Sequence, residues 1–183
     1  MAVSVFIDNN AWDYLFARNV NLAVDVSAED FTFAITREAE FEIRTLPDEL
    51  KAYVSKWIEG GTVVTDTYFG FAEANSGGES RVGGFNCGRF IDLAEAEILS
   101  AERGVIKNSL RPTGLYKNEA DVSLAARSVH SVILTSDSKK VLGRVVSKYG
   151  GVVVNLAQWP DDTSFDSYMK SECSALNAFW RSP

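Results

Sequence analysis

Four acidic residues stand where a carboxylate can do chemistry: Asp8, Glu42, Asp121 and Asp137. Asp8 ends the apolar run of "SVFIDNNAWDYLF", and Asp137 follows that of "SVILTSDSKK", so both lie at the exit of an expected strand. The other two lie on helix borders. In the helix after Thr36, Ala39, Ile43 and Leu46 make an i, i+4, i+7 stripe that must face a core, with Glu42 at its edge. One turn from Glu42 stand Glu38 and Leu46, a like charge and an apolar side chain, an arrangement that costs free energy unless a cation is near. Glu40, by contrast, has Arg44 four residues on and is expected to form an ordinary solvated pair. Asp121 immediately precedes the buried stripe Val122, Ala125, Ala126 and Val129. Taken singly, each acid has a plainer role: Asp8 and Asp137 suit helix caps, and Asp121 suits the positive end of a helix dipole.

Converged on one volume, three or four carboxylates cannot all stay ionised near neutral pH without a counter-charge. A divalent cation is the natural one. Hard oxygen donors, with no histidine or thiolate among them, select Mg²⁺ or Mn²⁺ over Zn²⁺. An ion of that kind acidifies a water, orients it toward a phosphodiester and stabilises the leaving oxygen, so no histidine base is required.

The remaining composition excludes several rivals. His130 is the single histidine, at the end of a helical stretch where imidazole commonly meets free carbonyls, and a structural role is expected. Cys87 and Cys173 lack a CxxC partner, which argues against thiolate zinc and disulfides and suits a reducing cytoplasm. The glycines match neither GxGxxG nor GxxxxGK[ST]. A net charge of -7 makes the surface as a whole repel nucleic acid, so such a partner needs a local basic patch. One candidate is the acid-free segment from Arg103 to Lys117, which holds Arg103, Lys107, Arg111 and Lys117; a solvated charged face is the simpler reading. "MAVSVFID" lacks a basic leader, and no run of 18 apolar residues occurs, so neither a signal peptide nor a membrane span is expected.

The elements that must position these residues follow from periodicity. Five short β-branched runs are expected as strands: 3–7, 31–36, 62–65, 131–135 and 151–155. Helical patterns alternate with them, one starting at Pro47 and closed by Gly60 and Gly61, another ended by Gly150 and Gly151. The fold class is therefore α/β, one domain over 1–183 with a central, mainly parallel five-stranded sheet flanked by helices. Residues 70–90 form a Gly-rich loop within an elaboration spanning 70–117; its Arg81, Phe85, Arg89 and Phe90 could reach over a substrate and stack on bases. The extension 160–183 carries Phe165, Tyr168, Met169, Cys173, Leu176, Phe179 and Trp180 at helical spacing, a stripe that suits core packing or a homodimer contact. Asp66, after the third strand, is expected to be structural, with an outer-shell role as the lesser option.

The ordered set of acids resembles the PIN domain nucleases over residues 1 to about 155. "FIDNNAWDYL" resembles that family's strand-Asp-x-Asn opening, which gives Asp8 with Asn10 as its amide. "ITREAEFEI" resembles its hydroxyl residue followed six positions on by Glu, which selects Glu42 over Glu38 and Glu40. "EADVSLAARS" resembles its Asp-led helix, giving Asp121, and "ILTSDSKK" its strand ending in Thr-x-Asp, giving Asp137. The resemblance implies an acidic Mg²⁺ or Mn²⁺ site, endoribonuclease activity on RNA, and a protein antitoxin as partner if the chain is of the toxin type. Two other readings stay open. One is a PIN-like RNA- or protein-binding module without turnover. The other is a haloacid-dehalogenase-like phosphatase with Asp8 as nucleophile, against which Asn10 stands where that family has a second Asp.

Overall fold

The β-branched runs pair side by side. In the computed structural model, which describes residues 2–69, 88–89, 91–137 and 140–180, the first half holds β1 (Val3–Ile7), α1 (Ala11–Ala17), β2 (Phe31–Ile35), α2 (Arg37–Ile43), α3 (Asp48–Glu59), β3 (Val63–Thr65) and β4 (Tyr68–Phe69). The second half holds β5 (Gly88–Arg89), α4 (Leu93–Glu102), β6 (Lys107–Leu110), β7 (Tyr116–Lys117), α5 (Glu119–Arg127), β8 (Val132–Thr135), α6 (Lys140–Tyr149), β9 (Val152–Asn155) and α7 (Phe165–Trp180). The central sheet has five strands in the order β3-β2-β1-β8-β9, and each neighbouring pair is parallel. The expected α/β class and parallel sheet are present.

Alternation along the strands divides the core into two layers. Val5, Ile7, Phe33, Ile35, Val132 and Leu134 pack with Trp12, Leu15, Leu50, Val54, Trp57, Phe165, Tyr168, Met169 and Cys173 on one face. Phe6, Ala34 and Ile133 turn the other way, onto Ile98, Val122, Leu124, Ala125, Ala126, Val141, Leu142 and Val145. The described part of the C-terminal stripe is thus core, as expected; the side chains of Leu176, Phe179 and Trp180 lie outside the described residues. So do residues 70–87 and 90, and with them the side chains of Arg81, Phe85 and Phe90. Of the Gly-rich stretch, only the backbone of Gly88–Arg89 is described, paired with Tyr68–Phe69. Among the described residues no helix is long and apolar enough to cross a membrane.

Parallel strands put all their exits on one edge. Asp8, Thr36, Asp66 and Ser136 follow β1, β2, β3 and β8 there. Chain order moves from β1 outward to β2 and β3 on one side, and from β8 to β9 on the other, so the order reverses between β1 and β8. Crevices for ligands open at such reversals, outside the carboxyl ends of the strands.

Two expectations need correction. Glu40 pairs with Arg37, not Arg44, because the Arg44 guanidinium instead lies over the Phe41 ring, 4.7 Å from its centroid. His130 meets the carboxylate of Asp92, the N-cap of α4, rather than helix-end carbonyls; those are taken by Ser128 Oγ and by main-chain N–H groups of Ser128 and His130. The basic segment before Asp121 is an antiparallel β6–β7 hairpin, with Gly114 at φ +82° in its turn.

Candidate metal centre

Asp8 leaves β1 and is 5% exposed. Its Oδ2 accepts from Asn10 Nδ2 and from Thr135 Oγ1, both at 2.9 Å. Asn10 is the N-cap residue of α1 but makes no capping side-chain bond. Its Oδ1 accepts instead from Ser136 N at 2.8 Å and lies 2.9 Å from Thr135 Oγ1, whose single proton it shares with Asp8. The amide therefore ties the exit of β1 to the exit of β8 across the switch point. Thr135 is fully buried, and its hydroxyl also bridges the turn to Asp137, accepting from that residue's N–H at 3.2 Å. Asp137 itself is exposed one step beyond.

Glu42 reaches the same edge from α2. The helix starts there because Thr36 caps it, its Oγ1 accepting from Ala39 N. That start places Ala39 and Ile43 in the core and Glu42 at the border. Asn9 Nδ2 donates to Glu42 Oε2 at 2.5 Å, and Arg111 Nη1 approaches Glu42 Oε1 at 3.4 Å. The cation that Glu42 called for is thus a guanidinium from the β6–β7 turn. Arg111, expected among the substrate-binding cations, is already engaged.

Asp8, Asn9 and Glu42 line one pocket, completed by Ile7, Thr36, Ala39, Ala120 and Leu124. Ala120 and Leu124 belong to the first turns of α5, so Asp121, partly buried, stands beside the pocket wall. The structure brings Asp8 and Glu42 together, sets Asp121 at the flank of their pocket and puts Asp137 on the rim of the neighbouring strand exit. Among the described residues no three His, Cys, Asp or Glu side chains close to metal-holding distance. Instead the acids hold to local donors: Asn10 and Thr135 for Asp8, and Asn9 and Arg111 for Glu42. Of the other basic candidates, Arg103 ends α4, while Lys107 and Lys117 stand directly opposite each other in the hairpin; all three are exposed.

No protein-family model, no curated protein and no solved structure matches this chain. The arrangement has to be read from its own chemistry.

That chemistry includes residues the sequence left unmarked. Asn9 was indistinguishable from a turn residue, yet its Oδ1 is buried with no hydrogen-bond partner. An acceptor left that way costs on the order of 1–3 kcal/mol. An oxygen ligand set of two carboxylates and one unused amide oxygen fits a hard divalent cation and would not fit zinc or copper. Glu38 on α2 and Arg127 on α5 are joined in a second cluster through Ser123. Ser123 Oγ donates to Glu38 Oε2 at 2.9 Å, while Arg127 donates to Ser123 Oγ at 2.7 Å, to Asp66 Oδ2 at 2.9 Å and to Thr67 O at 2.9 Å. Asp66 is accordingly structural, as expected.

Proposed function

We propose that this chain is a Mg²⁺- or Mn²⁺-dependent endonuclease of PIN-like type that hydrolyses phosphodiester bonds in RNA. One observation carries the reading: Asp8 and Glu42, 34 positions apart in sequence, line a single pocket by the exits of β1 and β2, and the amide oxygen of Asn9, in the same lining, is buried and unsatisfied. Asp8, Glu42 and Asn9 would hold the ion, with Asp121 and Asp137 as the acids closest to complete the set. Bound there, a divalent ion would supply a water nucleophile at neutral pH and offset charge building on the phosphate.

The chain's own residues prepare that role. Asn10 and Thr135 fix the Asp8 carboxylate by two hydrogen bonds, so the side chain meets an ion without reorganising. Arg111, 3.4 Å from Glu42 Oε1, would give way to an ion there and meet phosphate oxygens instead. Lys107 and Lys117, like charges paired across the hairpin, gain from an anion laid between them. Contacts of that kind are salt-dependent and blind to sequence.

The test is cleavage of a labelled single-stranded RNA with Mn²⁺, Mg²⁺ or EDTA. Wild type should cut only with metal, and Asp8→Asn and Asp121→Asn should each lower that cleavage by roughly 100-fold or more. Metal-dependent cleavage that survives in both variants discards the proposal. One observation favours a second reading, an RNA- or protein-binding module without turnover: Glu42 already has Asn9 and Arg111 as partners, and no three acids close on one point. RNA binding that is independent of metal, with no cleavage by wild type, supports that reading instead.

A further inference from the structure

We infer that Asn9 is itself a ligand of the divalent ion, an inference that rests on the metal-site reading above. The two neighbouring amides show why. Asn10 uses both ends of its side chain, Nδ2 on Asp8 and Oδ1 toward Thr135 and Ser136. Asn9 uses one. Its Nδ2 donates to Glu42 Oε2, and this bond settles which way round the amide lies, because the reverse orientation would press Oδ1 against a carboxylate oxygen.

Oδ1 is left buried with no partner. Helix capping does not account for it: what accepts from Trp12 N–H at 3.3 Å is the Asn9 backbone carbonyl, not its side chain. Buried acceptors normally find a donor. Here the residue lies in the wall of a pocket whose other polar side chains are the Asp8 and Glu42 carboxylates and the Thr36 hydroxyl, which accepts from Ala39 N, so acceptors outnumber donors and a cation is favoured. A neutral amide oxygen is a ligand that Mg²⁺ and Mn²⁺ accept, and it adds a donor atom without adding repulsion between carboxylates. Asn9 would thus join Glu42 to the ion twice, by orienting its carboxylate and by binding alongside it.

A change of metal preference tests this in the full chain. In Asn9→Cys, the hard amide oxygen is replaced by a soft thiol. Mn²⁺ affinity, read from the electron paramagnetic resonance of free Mn²⁺, should fall about tenfold or more. Cd²⁺ should then produce a sulfur-to-metal charge-transfer band in the ultraviolet. Wild type, which contains Cys87 and Cys173, should show no such band, and adding Asp8→Asn to Asn9→Cys should remove it. Asn9→Asp, which keeps a ligand oxygen, should still bind Mn²⁺, and it stands in if the cysteine variant does not fold. An Asn9→Cys protein that is folded, shows no charge-transfer band and has unchanged Mn²⁺ affinity overturns the inference while leaving the metal site standing. A folded Asn9→Asp that loses Mn²⁺ overturns it equally. Failure of wild type to bind Mn²⁺ at all removes the inference together with the proposed function.

Discussion

Glu38 and Glu42 are one turn apart on α2, and their surroundings differ in kind. Glu38 is 5% exposed and belongs to a closed network. Ser123 donates to it, and Arg127, 1% exposed, spends Nε and both terminal nitrogens on Asp66, Ser123 and Thr67, with its guanidinium 5.2 Å from the centre of the Phe6 ring. Around Glu42 the cation is a half-exposed arginine at 3.4 Å, a second carboxylate shares the pocket, and an amide oxygen goes unused. The first cluster has a buried guanidinium with its donors committed and is architecture. The second has an acceptor to spare, the feature on which the proposed cation site rests.

The sharpest way to break this contrast is to remove Arg127. Arg127→Met strands Asp66 without its buried guanidinium, breaks the network that reaches Glu38 through Ser123 and should cost about 3–5 kcal/mol of stability in urea unfolding. A loss below about 1 kcal/mol would mean that the network is not structural. Asp8→Asn should do the reverse, leaving urea unfolding nearly unchanged while lowering Mn²⁺-dependent RNA cleavage by roughly 100-fold or more, about 2.7 kcal/mol of transition-state stabilisation.

Much of the fold could be read from the sequence because its signals are local. Runs such as "VSVFI" and "VILT" are β-branched and buried on both faces, and Gly150 ends its helix at φ +75° as its type and place suggest. The β6–β7 hairpin escaped notice because "KNSL" has no strand pattern of its own; pairing with Tyr116–Lys117 makes it a strand. Arg127 was hidden for a related reason. At the end of a helix an arginine reads as a solvated dipole partner, and only the packing of α5 onto the sheet buries it. Asp8 and Glu42 were legible through position, one at a strand exit and one on an apolar border. Asn9 was not, since two adjacent asparagines before a helix look alike until the three-dimensional partners of each are known.

Alkaline pH sharpens the comparison from a third side, because it loads the core rather than the site. Burial pushes the Tyr53 and Tyr168 hydroxyls from 10.0 up to about 12. A group whose folded value is raised contributes stability in full below its unfolded value and loses it as pH rises toward the folded one. Unfolding should therefore become easier between pH 10 and 12, and the Tyr53→Phe, Tyr168→Phe double variant should flatten that dependence in a pH series of thermal melts. An unaltered slope would show that neither hydroxyl is held in its neutral form. The smallest effect belongs to Arg111→Gln. A half-exposed pair is worth less than about 1 kcal/mol, so stability should hardly move. Mn²⁺ should bind more tightly once its competitor for Glu42 is gone, while RNA affinity should fall; weaker Mn²⁺ binding would mean that Arg111 supports the site rather than occupying it.

The most direct measurement is a crystal of the whole chain soaked in Mn²⁺ and examined by anomalous scattering. The account predicts one strong peak in the pocket at the ends of β1 and β2, at coordination distance from Asp8 and Glu42. An intact pocket without that peak at saturating Mn²⁺, with Glu42 still held by Asn9 and Arg111, would contradict it.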